Sequence, residues 1–293
     1  MKLKVLTFTI ALALATNLSA QTFTTLHNFN GGDGVGSQAG LILSGNTLYG
    51  TSAGGGSGFG TIFKVNIDGS GFTIIYSFDA LNAGTYPNAS LILLSNMLYG
   101  TTKSGGSSGD GTVFKIRTDG LDFTVLYNFT TLDSSGINGD GANPQAGLIL
   151  SDKTLFGTTE FGGSSGCGTI FKINIDGSNF IVLHNFTGLD GANPYAGLTS
   201  SGNTLYGTSW GSGSGDYNVG SVFQVNMDGS NFKNLHGFTF QTGTAGVWPY
   251  TGLVISGNML YGTTSNGGSF GGGTVFKINI DDSSFTTLFD FSG

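Results

Sequence analysis

Leu48-Tyr49-Gly50-Thr51 returns as Leu98-Tyr99-Gly100-Thr101, Leu155-Phe156-Gly157-Thr158, Leu205-Tyr206-Gly207-Thr208 and Leu260-Tyr261-Gly262-Thr263. The aromatic positions are 50, 57, 50 and 55 residues apart, so five copies at one period predict a tandem repeat rather than a string of domains. Around each copy lie four short runs rich in β-branched and aromatic residues, bounded by Gly, Asn, Asp and Ser. In the third repeat these are residues 146–150, 154–159, 168–175 and 180–186. The last two runs of a repeat are joined by Asp-Gly at Asp68, Asp119, Asp176 and Asp228, with Asp281-Asp282 the exception. Asp-Gly supplies the positive φ that a tight hairpin demands. Four antiparallel strands per repeat predict an all-β chain folded as a β-propeller of five four-stranded repeats of 50–57 residues. A β-helix has much shorter rungs and needs no such regular hairpins.

Composition agrees. Gly numbers 53 of 293, yet Pro numbers only 4 and no strict triplet runs through the chain, which excludes collagen. Phe at 24 and Tyr at 10 exclude a disordered linker. Glu160 is the sole Glu and Arg117 the sole Arg, so good polar helix formers are missing.

The first residues differ from everything that follows. Lys2 and Lys4 precede an apolar run over residues 5–14, and small residues lead to Ala20. This pattern predicts a secretory signal peptide over 1–20, with the mature chain starting at Gln21 and a propeller domain over 21–293. The run falls short of the ~20 apolar residues of a membrane-spanning helix. The expected location is therefore outside the cytoplasm, secreted or at the cell surface, with no integral membrane segment after cleavage. Loss of Lys2 and Lys4 moves the formal charge from −7 to −9, which argues against nucleic acid as a partner. Cys167 is the only Cys, so no intrachain disulfide forms.

Spacing separates two faces. From the inner-strand Leu (41, 91, 148, 198, 253) to the second-strand aromatic the distance is always 8 residues. From the Asp turn to the outer-strand Phe (72, 123, 180, 232, 285) it is always 4. The second-to-third connection varies, its flanking aromatics lying 14, 15, 15, 17 and 15 residues apart. Outer-strand Phe and the next inner Leu, starting at Phe23, lie 18, 19, 25, 18 and 21 apart. In an up-and-down sheet both variable connections emerge on one face, where binding is expected. Pro87, Pro144, Pro194 and Pro249 each precede the inner Leu by four residues and mark strand entry. The residues that follow the prolines, with Gln38 in the first copy, are Asn88, Gln145, Tyr195 and Tyr250. They are expected to ring the mouth of the axis. Trp210, Tyr217 and Trp248 fall in the variable connections, and exposed aromatic platforms suit sugar rings or peptide backbones.

Other constellations dissolve when the repeats are superposed. His27, His184 and His236 share an outer-strand position with Tyr76, Tyr127 and Phe289, a slot that asks for a flat ring. Lys64, Lys115, Lys172 and Lys277 recur on the third strand with Gln224, which reads as a stem packed between blades. Glycosidase chemistry needs two carboxyl groups ~5–10 Å apart. Glu160 has no partner by spacing, and loop aspartates 79, 133, 140, 190 and 216 form no pair. Asn138-Gly139-Asp140 has the oxygen ligands but not the spacing of a calcium loop, so it reads as a turn. Neither a cofactor nor a metal is expected.

Leu-Tyr-Gly-Thr-Thr, a Gly-rich connection, Gly-Thr-Val-Phe-Lys-Ile-Asn and Asp-Gly-Ser-x-Phe, in that order, resemble the GloVer tandem repeat. The match covers residues 23–291. That repeat occurs in bacterial exported proteins described as choice-of-anchor, and the resemblance implies an exported, surface-associated protein. The strand order is also similar to NHL-type propellers. The expected function is a non-catalytic binding module that engages a glycan or a protein on the variable face. The alternative is a propeller-type carbohydrate-active enzyme, a glycosidase or lyase. One further expectation concerns closure. An outer strand over 23–29 precedes five complete repeats, so one outer strand is surplus, and a six-bladed ring truncated after Gly293 is expected.

Overall fold

The computed structural model describes residues 23–211, 218–240, 245–281 and 283–292. The expected signal segment 1–20 and Gln21 lie outside them. The described strands form five four-stranded antiparallel sheets, each in chain order, the blades of a β-propeller. Blade 1 consists of β1 (Ile42–Ser44), β2 (Thr47–Ser52), β3 (Thr61–Asn66) and β4 (Thr73–Ser77). Blades 2 to 5 follow as β5–β8, β9–β12, β13–β16 and β17–β20, the last strand being Phe285–Ser292. Inner strands are three residues long, so Pro and its neighbours lie ahead of the strand instead of opening it. The Pro ring packs on the preceding blade, where a Cβ built at Gly111 would meet Pro144 Cδ at 2.7 Å.

The repeated glycine of the second strand has a steric cause. A Cβ at Gly157 would lie 2.6 Å from Phe171 Cζ and 2.8 Å from Leu148 Cδ2. The third-strand Phe and inner-strand Leu thus close over the Gly backbone, a contact that any side chain would break. Every blade also shifts register between its third and fourth strands immediately before that Phe, as between Ile170 and Phe171. Such bulges increase local twist.

The core lies between blades. Tyr99, Val113 and Phe129 of blade 2 pack on Leu148, Leu155 and Phe171 of blade 3. The outer-strand ring slot works as the repeat predicts: Tyr76 stacks on Phe123 at 3.9 Å, Tyr127 on Phe180 at 3.7 Å, His184 on Phe232 at 3.6 Å and His236 on Phe285 at 3.9 Å. His27 does the same with Phe72 at 3.5 Å. Residues 23–29 nevertheless form no strand, contrary to the expectation. They occupy the outer-strand place beside blade 1, but no strand of the described residues ladders with them there, and a lone strand is not stable.

Candidate functional site

Both variable connections emerge on one face and bridge to each other in every blade: Val35 with Gly54, Thr85 with Ser104, Ala142 with Phe161, Ala192 with Gly211 and Val247 with Asn266. Beneath each bridge a buried hydroxyl pair joins the second and third strands. The pairs are Ser52–Thr61, Thr102–Thr112, Thr159–Thr169, Ser209–Ser221 and Thr264–Thr274, at 2.7 to 3.0 Å. In blades 1, 2, 3 and 5 the third-strand hydroxyl then donates to a carbonyl of the incoming connection, as Thr112 Oγ1 does to Ala83 O at 3.1 Å. The loops therefore stand on a fixed scaffold.

What differs between copies is the residue just beyond that pair: Ala53, Lys103, Glu160, Trp210 and Ser265. Its amide donates to the residue before the Pro position, as Glu160 N does to Asn143 O at 3.2 Å and Trp210 N to Asn193 O at 3.3 Å. This register fixes the varied residue of each copy against the incoming connection just ahead of an inner strand, and the inner strands face the axis. Around that axis the inner strands start on small residues: a Cβ at Gly197 would meet Gly147 O at 3.4 Å, and one at Gly252 would meet Gly197 O at 3.3 Å.

Four of the sequence-predicted residues come together here. Tyr250 stacks on Trp210 at 5.7 Å and meets Tyr195 edge-on at 5.9 Å, and both tyrosines are exposed. Gln145 Nε2 donates to Glu160 Oε2. Glu160 is buried, and burial raises its carboxyl above the usual range against the opposing pull of the Lys103 ammonium and the Gln145 bond. Asn193 Nδ2 joins the two groups by donating to Glu160 O at 3.0 Å. Asn193 O in turn accepts from Trp210 N at 3.3 Å, so this one residue links the aromatic cluster to the strand end that carries the polar pair.

The remaining predicted residues are elsewhere. Trp248 stands at the left-handed position before Pro249, with φ 58, and turns edge-on to Phe240 at 5.8 Å beside the last interblade core. Its ring is partly buried there, apart from the other three aromatics. Gln38 is exposed on blade 1, and Asn88 is half-buried with its Oδ1 unpaired in the structure. Tyr217 lies outside the described residues. Sequence reasoning missed Lys103 and treated Glu160 only as half of an absent carboxylate pair. The signal that finds them is the position after Thr-Thr or Thr-Ser, compared across copies.

Asp216 lies outside the described residues, and the other loop aspartates brace their own connections. Asp140 accepts from Tyr127 Oη at 2.8 Å, Thr130 N at 2.9 Å and the Thr130 hydroxyl, so the Asn138-Gly139-Asp140 segment is a turn. Asp190 accepts from Thr187 N at 2.8 Å and lies 3.0 Å from His184 Nε2. Asp79 and Asp133 bind backbone amides of their turns. Among the described residues no group of three or more His, Cys, Asp or Glu is placed to hold a metal ion. Burial and Asp190 push the Cys167 thiol up, away from a reactive thiolate. No helix of the described residues is long and apolar enough to cross a membrane.

The Gloeobacter/Verrucomicrobia repeat model matches residues 12–139 and 134–293. The chain belongs to this repeat family. No curated protein matches its sequence. Among solved structures the repeat protein is similar to a chain of a nidogen/laminin complex, with 17% identity and a TM-score of 0.53 over 85% of this chain and 76% of that one. It is similar to TolB from Acinetobacter baumannii at 12% identity and 0.51, over 85% of this chain and 52% of that one. A GH74 enzyme from Niastella koreensis matches at 19% and 0.54, over 86% of this chain but 38% of that one. These likenesses show the propeller fold alone; the family repeat spans about half of the TolB chain and less of the enzyme.

Proposed function

We propose that this repeat protein is an exported, non-catalytic binding module that holds a glycan at the mouth of its axis. The observation that carries the reading is the grouping of Tyr195, Trp210 and Tyr250 beside the bonded Gln145–Glu160 pair. A pyranose presents an apolar C–H face and a rim of hydroxyls. The aromatic cluster matches the first, and the amide and carboxyl pair matches the second. Export rests on the charged and apolar start ending at Ala20, and N-terminal sequencing of exported protein is expected to begin at Gln21.

A glycosidase or lyase is the second class. The enzyme of similar fold keeps it in view, but the carboxylate pattern speaks against it: Glu160 is tied to Gln145, and the described loop aspartates are each engaged by their own turns. Hydrolysis needs a second carboxyl group across the substrate. A glycan array with the wild type and Trp210→Ala, run beside a reducing-end assay on the same polysaccharides, tests the reading. Retention on a neutral glycan that falls about tenfold or more in the variant, without released sugar, is the expected result. Turnover by the wild type would establish the enzyme, and binding to proteins but no glycan would establish a protein ligand.

A further inference from the structure

One seam is built four times. Blade 3 gives Phe156, Ile170 and Phe186, and blade 4 answers with Leu198, Leu205 and Phe223. Each half of that seam occurs once more without an answering blade among the described residues. On blade 1, Leu41 is 49% exposed, whereas Leu91 is 5% and Leu148 6%. A recess of about 340 Å³ opens there, lined by Leu26, Phe29, Ala39, Leu41 and Phe63. On blade 5, Phe291 is 44% exposed, whereas Phe129, Phe186 and Phe238 are fully buried. Phe289, in the ring slot, is 57% exposed and meets Phe291 of its own strand edge-on. The Thr263 hydroxyl tells the same story. Its counterparts Thr51 and Thr101 donate to Ala89 O and Ala146 O of the following blade, but Thr263 turns back to Thr251 of its own, 3.0 Å away.

The two bare halves cannot simply meet. On direct closure Phe289 would have to stack on Phe72 and Phe291 would have to pack on Phe63. Both places are taken: His27 stacks on Phe72 at 3.5 Å, and Phe29 meets Phe63 edge-on at 5.2 Å. His27 is also anchored by Asp33 at 3.0 Å, as His184 is by Asp190. Residues 23–29 are therefore already set as the outer strand of a further blade, with their ladder unmade. A second copy of blade 5 docking on blade 1 meets the same obstruction.

We propose that the opening between blades 5 and 1 receives a three-stranded antiparallel sheet with the repeat's own chemistry, from a partner segment bearing this signature, and that residues 23–29 complete it. Such a sheet offers two Leu and a Phe to blade 5, an aromatic and a β-branched residue to blade 1, and a free third-strand edge to residues 23–29. Edge addition of this kind satisfies backbone groups and buries the apolar halves together.

The test is hydrogen exchange of the full chain with and without a polypeptide copying residues 79–121, which hold the connection and first three strands of blade 2. Exchange of residues 24–29 should slow about tenfold or more, and the melting temperature should rise by about 5 °C. The same polypeptide with Ser at its copies of Leu91, Leu98 and Phe114 should do neither. If the free segment does not fold, the segment joined after Gly293 is the second format, and protection in either format supports the proposal. Unchanged exchange and melting in both formats overturn it. So does a chain that alone protects 24–29 and 285–292, having closed on itself, or that protects them by dimerising.

Discussion

The turn face and the connection face are built from the same strands, yet they vary in opposite ways. On the turn face Asp68, Asp176 and Asp228 each accept from the Ser two residues on, at 2.9 Å, and these bonds hold the three exposed carboxyls below the usual range. On the connection face the hydroxyl pairs are just as regular, but the residue above them changes from Ala to Lys, Glu, Trp and Ser. Chemical variety on this face is raised on a constant support. That is how a repeat keeps its fold while one face varies.

Breaking the support should cost most. Gly157→Val drives a branched side chain into Phe171 and Leu148, and a loss of about 3 kcal/mol or more is expected from urea denaturation. Next comes acid. Burial lowers the His236 pKa from 6.5 to about 4, and its Nε2 has no partner in the structure. Folding therefore favours the neutral ring: its contribution is whole above pH 6.5 and is lost as pH falls through 4. The stability of the wild type relative to His236→Phe should drop by up to about 3 kcal/mol between pH 7 and pH 4, read by denaturation at each pH. His184, in the same slot, has Asp190 to oppose the effect of burial, so His184→Phe should show less of this dependence.

Thr102→Val tests the hydroxyl support. It removes the bond to Thr112 and leaves the Thr112 amide, which donates to Thr102 Oγ1 at 3.1 Å, unsatisfied in the core. A cost of about 1–2 kcal/mol should appear in urea melts. The smallest effect should come from the mouth. Tyr195→Ala is expected to change stability by about 0.5 kcal/mol or less while glycan retention falls. A large loss of stability there would make Tyr195 part of the support and erase the contrast between the faces.

Much of the fold was legible because it is said five times. A Leu eight residues before an aromatic, a Gly after it and an Asp turn four before a Phe leave little freedom, and the Gly157 contact shows the physical reason. The ring slot was legible because His, Tyr and Phe exchange within it. The site was half legible. Tyr195, Trp210 and Tyr250 were found by composition and register, but Lys103 and Glu160 become neighbours only when successive blades turn about the axis, a relation no spacing along the chain encodes. Trp248 stands apart from these aromatics at a left-handed position before proline, edge-on to Phe240, a local geometry hidden from composition. Residues 23–29 carry a strand's pattern without the hydrogen-bonding neighbour that makes a strand.

The stacked rings have a mechanical meaning. Each outer-strand ring leans on a Phe of the next blade and on nothing two blades away, from His27–Phe72 to His236–Phe285. Such an array behaves as a one-dimensional lattice with nearest-neighbour coupling. Pulled from its termini, the chain should yield one repeat at a time, with blades 1 and 5 fraying first and the central seams last.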